Sequence, residues 1–323
     1  MKKLWQSQHL PLAATVLVLV ALFTAASVMY EGFFSGRVIT NLFADNAALG
    51  IAAVVMTLVI LSGGIDLSVG SMLGFTTILI AVLVQQKGMH PLSAIAIALG
   101  IGTVFGAFMG FLIHRYDLPP FLVTLGGMFL ARGMAFVISK ESLGIENAFY
   151  NHMADFGIPL GGKAALSATA LIYLLLFALG IVVTHFTPFG RNIYALGGSE
   201  PSARLMGVPI GSTKIAVYAL SGFGAALAGA VSTFYTTSGN PTTGGGFELD
   251  VIASVVIGGT LLTGGVGTQL GTLAGVLIFG TIHSALDFDG RLNSYWLRIA
   301  IGGLLLIFIL FQRFLTRTSA LTR

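Results

Sequence analysis

Apolar residues run through this chain in long blocks, not in the alternating or every-third-or-fourth patterns of soluble strands and helices. A helix needs about 20 such residues to cross a hydrocarbon core of about 30 Å. On that template about ten blocks qualify, with limits near 10–30, 42–61, 67–86, 92–113, 120–139, 165–186, 213–235, 248–262, 267–286 and 295–312. The pattern predicts an all-α membrane protein, one transmembrane domain over 1–323 with a polar loop at 188–212.

Two places depart from simple spans. The eighth block has about 15 residues, or about 22 Å, and falls short of the core, so it is short or re-entrant. Between the second and third blocks the connection Ser62-Gly63-Gly64-Ile65-Asp66-Leu67-Ser68 is very short. Two arrangements fit it: one discontinuous element at a substrate path, or a tight hairpin in which Asp66 or Ser68 caps the third helix. The first block follows Lys2 and Lys3 but is of spanning length, with no small-x-small pattern after Tyr30, so it reads as a retained span.

Composition agrees: 55% of residues are hydrophobic and 9% charged, against about 45–50% and about 25% in soluble domains. The net charge of +4 comes from Lys and Arg scattered between blocks, which offers nucleic acid no basic track. It is a topology signal instead. With the N-terminus cytoplasmic, Lys2, Lys3, Arg115, Arg191, Arg204, Lys214, Arg313, Arg317 and Arg323 fall inside, and Arg37, Lys87, Lys140, Lys163 and Arg291 outside. Nine against five follows the positive-inside bias and places both termini in the cytoplasm. There are no cysteines, which removes thiol chemistry and disulfides. Of the 43 glycines, Gly102, Gly106 and Gly110, and Gly267, Gly271 and Gly275, form rows of four-residue spacing suited to close helix packing.

The loop between the sixth and seventh blocks predicts a two-turn helix at 200–206. Ser199 or Glu200 can cap it, Pro201 fits its first turn, Gly207 can take the left-handed conformation, and Pro209 stops continuation. Ala203, Leu205 and Met206 on this stub must be covered, by the bundle or by a soluble partner.

Five ordered stretches carry a family resemblance: Gly63 to Gly70 (GGIDLSVG), Leu118 to Gly126 (LPPFLVTLG), Phe189 to Gly198 (FGRNIYALGG), Glu248 to Ala253 (ELDVIA), and Ile257 to Thr260 with Gly264-Gly265 behind it. From about Asn41 to Asp287 the chain resembles the permeases of ribose, xylose and galactofuranose ABC importers, the galactofuranose permeases most. The resemblance implies a ten-span inner-membrane bundle with a second permease chain, identical or homologous, a periplasmic sugar-binding protein, and ATPase domains that hold ATP and Mg. This chain itself would bind no cofactor or metal. Glu200, Ala203, Arg204, Leu205, Met206 and Gly207 would form the coupling helix, Arg204 at its rim. Departures from the family's usual residues are Ser199 for Asn, Pro201-Ser202 for Ala-Ala, and Met109 before Gly110 for Asn.

A carboxylate within a span is costly and a functional candidate, whereas at the interface Asp66 would simply cap a helix. Gly63, Gly64, Glu248, Asp250, Gly258 and Gly259 are candidate gate or broken-helix positions. Arg132 and Arg298 need partners or a route to the interface. An uncharged sugar calls for hydroxyls, amides and aromatic faces. Asn46, Thr57, Asp66, Phe121, Thr124, Phe129, Tyr235 and Ser254 qualify as path residues by type and depth, against the plain alternative that a Ser or Thr bonds its own preceding turn.

Three rival functions compete with this one. An intramembrane enzyme lacks its motifs: Tyr116-Asp117 has no second in-span Asp partner, and there is no Gly-x-Ser-Gly or His-Glu-x-x-His. Gly157 to Lys163 imitates a phosphate loop, but Ala164 stands where Ser or Thr must hold magnesium. An ion-gradient-driven secondary transporter fits the composition equally, and only the loop pattern and the family motifs discriminate against it.

Overall fold

The computed structural model describes residues 2–290, 295–296, 299–308 and 310, with side chains from residue 12 onward. Arg291, Arg298, Arg313, Arg317, Arg323 and part of the tenth predicted block lie outside the described residues, as do the side chains of Lys2 and Lys3. Helices dominate. In chain order they are α1 (Lys2–Met29), α2 (Gly36–Asp45), α3 (Ala47–Leu61), α4 (Val69–Ala81, extended by a wider π-helical turn over Val82–Gln86), α5 (Pro91–Arg115) and α6 (Pro120–Ile138). There follow α7 (Ala148–Asp155), α8 (Ala168–Phe186), α9 (Pro188–Gly198), α10 (Glu200–Leu205), α11 (Ile210–Thr236), α12 (Phe247–Ile257), α13 (Gln269–Asp289) and α14 (Ile299–Phe308). Among the described residues seven helices are long and apolar enough to span, and eight if α2 and α3 count as one bent span. The remaining two of the predicted blocks are α12 and α14.

The centre is α3, in which every residue but Ala48 is buried. A helix that is apolar all round has no face to offer water and must be enclosed; here α8, α11, α12 and α13 enclose it. The glycine row Gly102, Gly106 and Gly110 on α5 lies against the α11 backbone at Tyr218 and Gly222. Gly271 and Gly275 on α13 lie against Gly258 and Ser254 in the same way, while Gly267, expected in that row, precedes the helix and abuts Thr260. The first helix is peripheral. It packs on α13, and Thr15 donates from its hydroxyl to the Ile257 carbonyl at 2.7 Å, satisfying a carbonyl at the end of α12.

The two ends of the bundle differ. At one end, the loop end, lie Ser62–Ser68, Asp117–Pro119 and the α9–α10 segment. The opposite end carries two small antiparallel pairs: β1 (Leu143–Gly144) with β4 (Ser238–Gly239), and the hairpin of β2 (Gly157–Gly161) and β3 (Ala164–Ser167). The false phosphate loop is thus a hairpin, turning at Gly162 and Lys163. The second predicted span is also more complex than expected, since it breaks by 58° at Asn46 between α2 and α3.

Candidate translocation path and coupling segment

Asp66 is completely buried in the connection between α3 and α4. One carboxylate oxygen accepts from the Ser68 amide at 2.9 Å and the Ser68 hydroxyl at 2.7 Å. The other accepts from Ser221 of α11 at 2.6 Å. The neighbouring Ile65 carbonyl accepts from Thr124 of α6 at 3.3 Å and Tyr218 of α11 at 3.4 Å. Asp66 therefore does more than cap: its carboxylate ties the start of α4 to α11, while the Ile65 carbonyl beside it ties in α6. Its replacement by alanine leaves two hydroxyls and an amide seeking new acceptors, at about 1–3 kcal/mol for each buried donor left unsatisfied. Asp66→Ala should melt several degrees lower in detergent, and an unchanged melting temperature would remove Asp66 from this tie.

Beside it, three Gly-Gly pairs from distant parts of the chain meet. Gly197 lies against the Leu61 carbonyl and the Gly265 amide, Gly264 against Gly63, and Gly265 against Gly198. The Gly265 amide donates to Leu61 O at 2.9 Å, and the Tyr194 hydroxyl to Gly267 O at 2.8 Å. Only glycine allows backbones this close, so the α9 terminus, the α3 terminus and the loop from α12 to α13 form one contact. A cavity of about 310 Å³ opens next to it, lined by Ser62, Gly63, Gly64, Asp117, Glu200, Lys214 and Tyr218 among others.

The 188–212 loop holds two helices where the sequence reading expected one. The Thr187 hydroxyl accepts from the Gly190 amide and Pro188 opens α9, a capping signal contained in the Thr187-Pro188 pair itself. In α10 the Ser199 hydroxyl accepts from the Ser202 amide, and Gly207 takes φ +78° as expected. Ala203 corrects an expectation. It is fully buried against Leu196 and Ile210 of its own chain and so has no surface for a partner. Leu205 and Met206 project outward, 90% and 70% exposed. Glu200 accepts from Lys214 at 2.8 Å and Arg204 at 3.3 Å. Partial burial raises the Glu200 pKa, but the hydrogen bonds and charges of Lys214 and Arg204 outweigh it and hold the carboxyl below its ordinary value. The stabilisation is therefore present at neutral pH and is lost as pH falls through that lowered pKa.

Arg132 of α6 finds partners no sequence pattern displays: its guanidinium donates to the carbonyls of Pro241 at 2.5 Å and Thr243 at 2.7 Å. It thereby clamps the loop that delivers Glu248 and Asp250 to the first turn of α12. Gly258 ends α12 against Gly271 of α13, and Gly259 turns with φ +93°.

The eight path candidates do not form one lining. Thr57 and Ser254 are sealed in the core and bond the carbonyls of Ala53 and Asp250 in their own preceding turns, Thr57 also meeting Thr272. Thr124 is buried beneath the Asp66 connection, accompanied by its own bond to Pro120 O. Phe121 and Phe129 point away from the bundle on the outer face of α6, 50% and 67% exposed. Asn46 and Tyr235 do come together, with Asp250, in a cavity of about 360 Å³ near the hairpin end.

A multi-span helical bundle with a broken span and a short inserted helix is an architecture common among membrane transport proteins. Residues 38–310 match the family model described as branched-chain amino acid transport system / permease component. The chain is 49% identical over 309 residues to the inner membrane ABC transporter permease protein YjfF of Escherichia coli K12, covering 96% of this chain and 93% of that one. It is 38% identical to the fructose import permease FruG of Bifidobacterium longum, covering 95% and 91% of the two chains. The ribose import permease RbsC of Escherichia coli K12 is likewise 38% identical, covering 95% and 94%. No solved structure matches. The chain belongs to the ABC importer permease family that includes these proteins, a family of translocation subunits in the membrane and not of enzymes.

Proposed function

We propose that this chain is the translocation subunit of a bacterial inner-membrane importer that takes up one monosaccharide at the expense of ATP, galactofuranose being the sugar its motifs favour. The observation that carries the reading is α10. Its inner side is anchored by Ala203 and the Glu200–Lys214 pair, while Leu205 and Met206 stand uncovered. Exposed apolar side chains on a rigid stub suit docking in a partner's groove. The relatives named for ribose and fructose support a single sugar as cargo.

On this reading the loop end and both termini face the cytoplasm, and 140–164 faces the periplasm, in keeping with the Lys and Arg bias. Separate ATPase subunits hold ATP and Mg and drive alternating access. A periplasmic binding protein delivers the sugar, and Phe121 and Phe129 on the free face of α6 meet a second permease chain. The test is uptake into proteoliposomes by the assembled complex, with ribose, fructose and galactofuranose offered in turn. Uptake is expected only with ATP and the loaded binding protein. Uptake driven by a proton or sodium gradient, without any ATPase, would replace this reading with a secondary transporter.

A further inference from the structure

The cavity near the hairpin end is built from pieces that a packed helical bundle has no need to assemble. Its wall includes the α2–α3 break at Asp45 and Asn46, the end of α11 at Tyr235, the first turn of α12 at Phe247 and Asp250, and the last turns of α13. Together α2 and α3 make one apolar stretch bent by 58°, and Asn46 lies at the bend between its two helices. Broken helices and carboxylates within spans are tolerated where they line a cavity, and in transporters they often mark the substrate path.

Its chemistry selects the ligand. Asp45 accepts from the Tyr235 hydroxyl at 3.2 Å, and Asp287 pairs with His283 at 3.1 Å. Asn46 is 8% exposed and donates its amide to Leu42 O at 2.9 Å; among the described residues its side-chain carbonyl has no partner. Phe247 and Phe279 supply apolar faces. Among the described residues no three carboxylates or imidazoles converge on one point in this wall. Spread acceptors beside aromatic surfaces suit a neutral polyhydroxy ring, whose hydroxyls donate to carboxylates and whose C–H face lies on Phe. At about 360 Å³ the cavity is at the small end of ligand pockets, about 300–1,000 Å³.

We infer that this cavity is a weak seat for one monosaccharide, occupied after delivery and before passage, with Asp45, Asn46, Tyr235 and Asp250 as its polar contacts. The inference rests on the proposed importer reading, and its test separates the two. Purified full-length chain in a detergent without a sugar headgroup is titrated with ribose, fructose and galactofuranose, and binding is read by saturation-transfer NMR. Saturable binding in the millimolar range is expected for at least one sugar, weakened at least tenfold in Asp45→Asn and Tyr235→Phe. Gly198→Ala, at the opposite end, should bind as the parent does. Melting curves confirm that the variants fold; if Asp45→Asn does not, Tyr235→Phe, which keeps its ring, decides alone. Absent binding, variant binding equal to the parent's, or displacement of sugar by calcium would overturn the seat. If the assembled transporter still imports sugar with ATP, the importer reading survives that result, and if it imports none, both fall.

Discussion

Valine at position 197 is expected to lower the melting temperature by several degrees and to reduce the amount of protein in the membrane. A Cβ on Gly197 would collide with the Leu61 carbonyl and stand 2.6 Å from the Gly265 amide, two groups that hydrogen-bond to each other. Backbone atoms cannot swing aside as a flexible side chain can, so α9, α3 and the α12–α13 loop must separate. Overpacking of this kind costs about 1–3 kcal/mol, and loss of the Gly265–Leu61 bond adds about 1 kcal/mol. The adjacent residue is the control. A Cβ on Gly198 meets nothing within 4 Å, so Gly198→Ala should melt like the parent. Equal melting of Gly197→Val and Gly198→Ala would mean that the three segments are not held in register here.

Leu205→Asp should have the opposite profile, with normal stability and failed coupling. Leu205 is 90% exposed, so the free chain loses almost no contact when it is replaced. If a nucleotide-binding partner buries it, about 1.5–3 kcal/mol of apolar burial is lost, equivalent to roughly a 10- to 100-fold weaker complex, and the desolvated charge weakens it further. Gly207→Val should act through geometry, forcing a β-branched residue into φ +78° and misdirecting Met206. Pull-down of the ATPase and sugar-stimulated ATP hydrolysis read both variants. Normal values for Leu205→Asp would dismiss α10 as the coupling element.

Much of this architecture was legible because a lipid-spanning helix announces itself by length and apolarity alone. The short α12 followed from the same arithmetic, and α10 from local capping chemistry, since both signals are contained in a few consecutive residues. What escaped was non-local. Asp66 gave no sign that Ser221, 155 positions away, would hold it, and Arg132 binds backbone carbonyls, which carry no sequence signature. Ala203 was misdirected because a two-turn helix is too short for its pattern to say which side faces home. The break at Asn46 hid inside an apolar block, with the Asp45-Asn46 pair as its only mark.

Thr15 has a consequence for how the protein is made. Its hydroxyl reaches a carbonyl 242 positions later in the chain. At synthesis rates of about 5–20 residues per second, α1 waits in the bilayer for about 12–50 s before its acceptor exists. Meanwhile the hydroxyl has a carbonyl of its own preceding turn to bond, and the largely uncovered apolar surface of α1 is stable in lipid as it stands. The docking of α1 thus has to wait for α12 and α13, the elements that supply its acceptor and its packing surface.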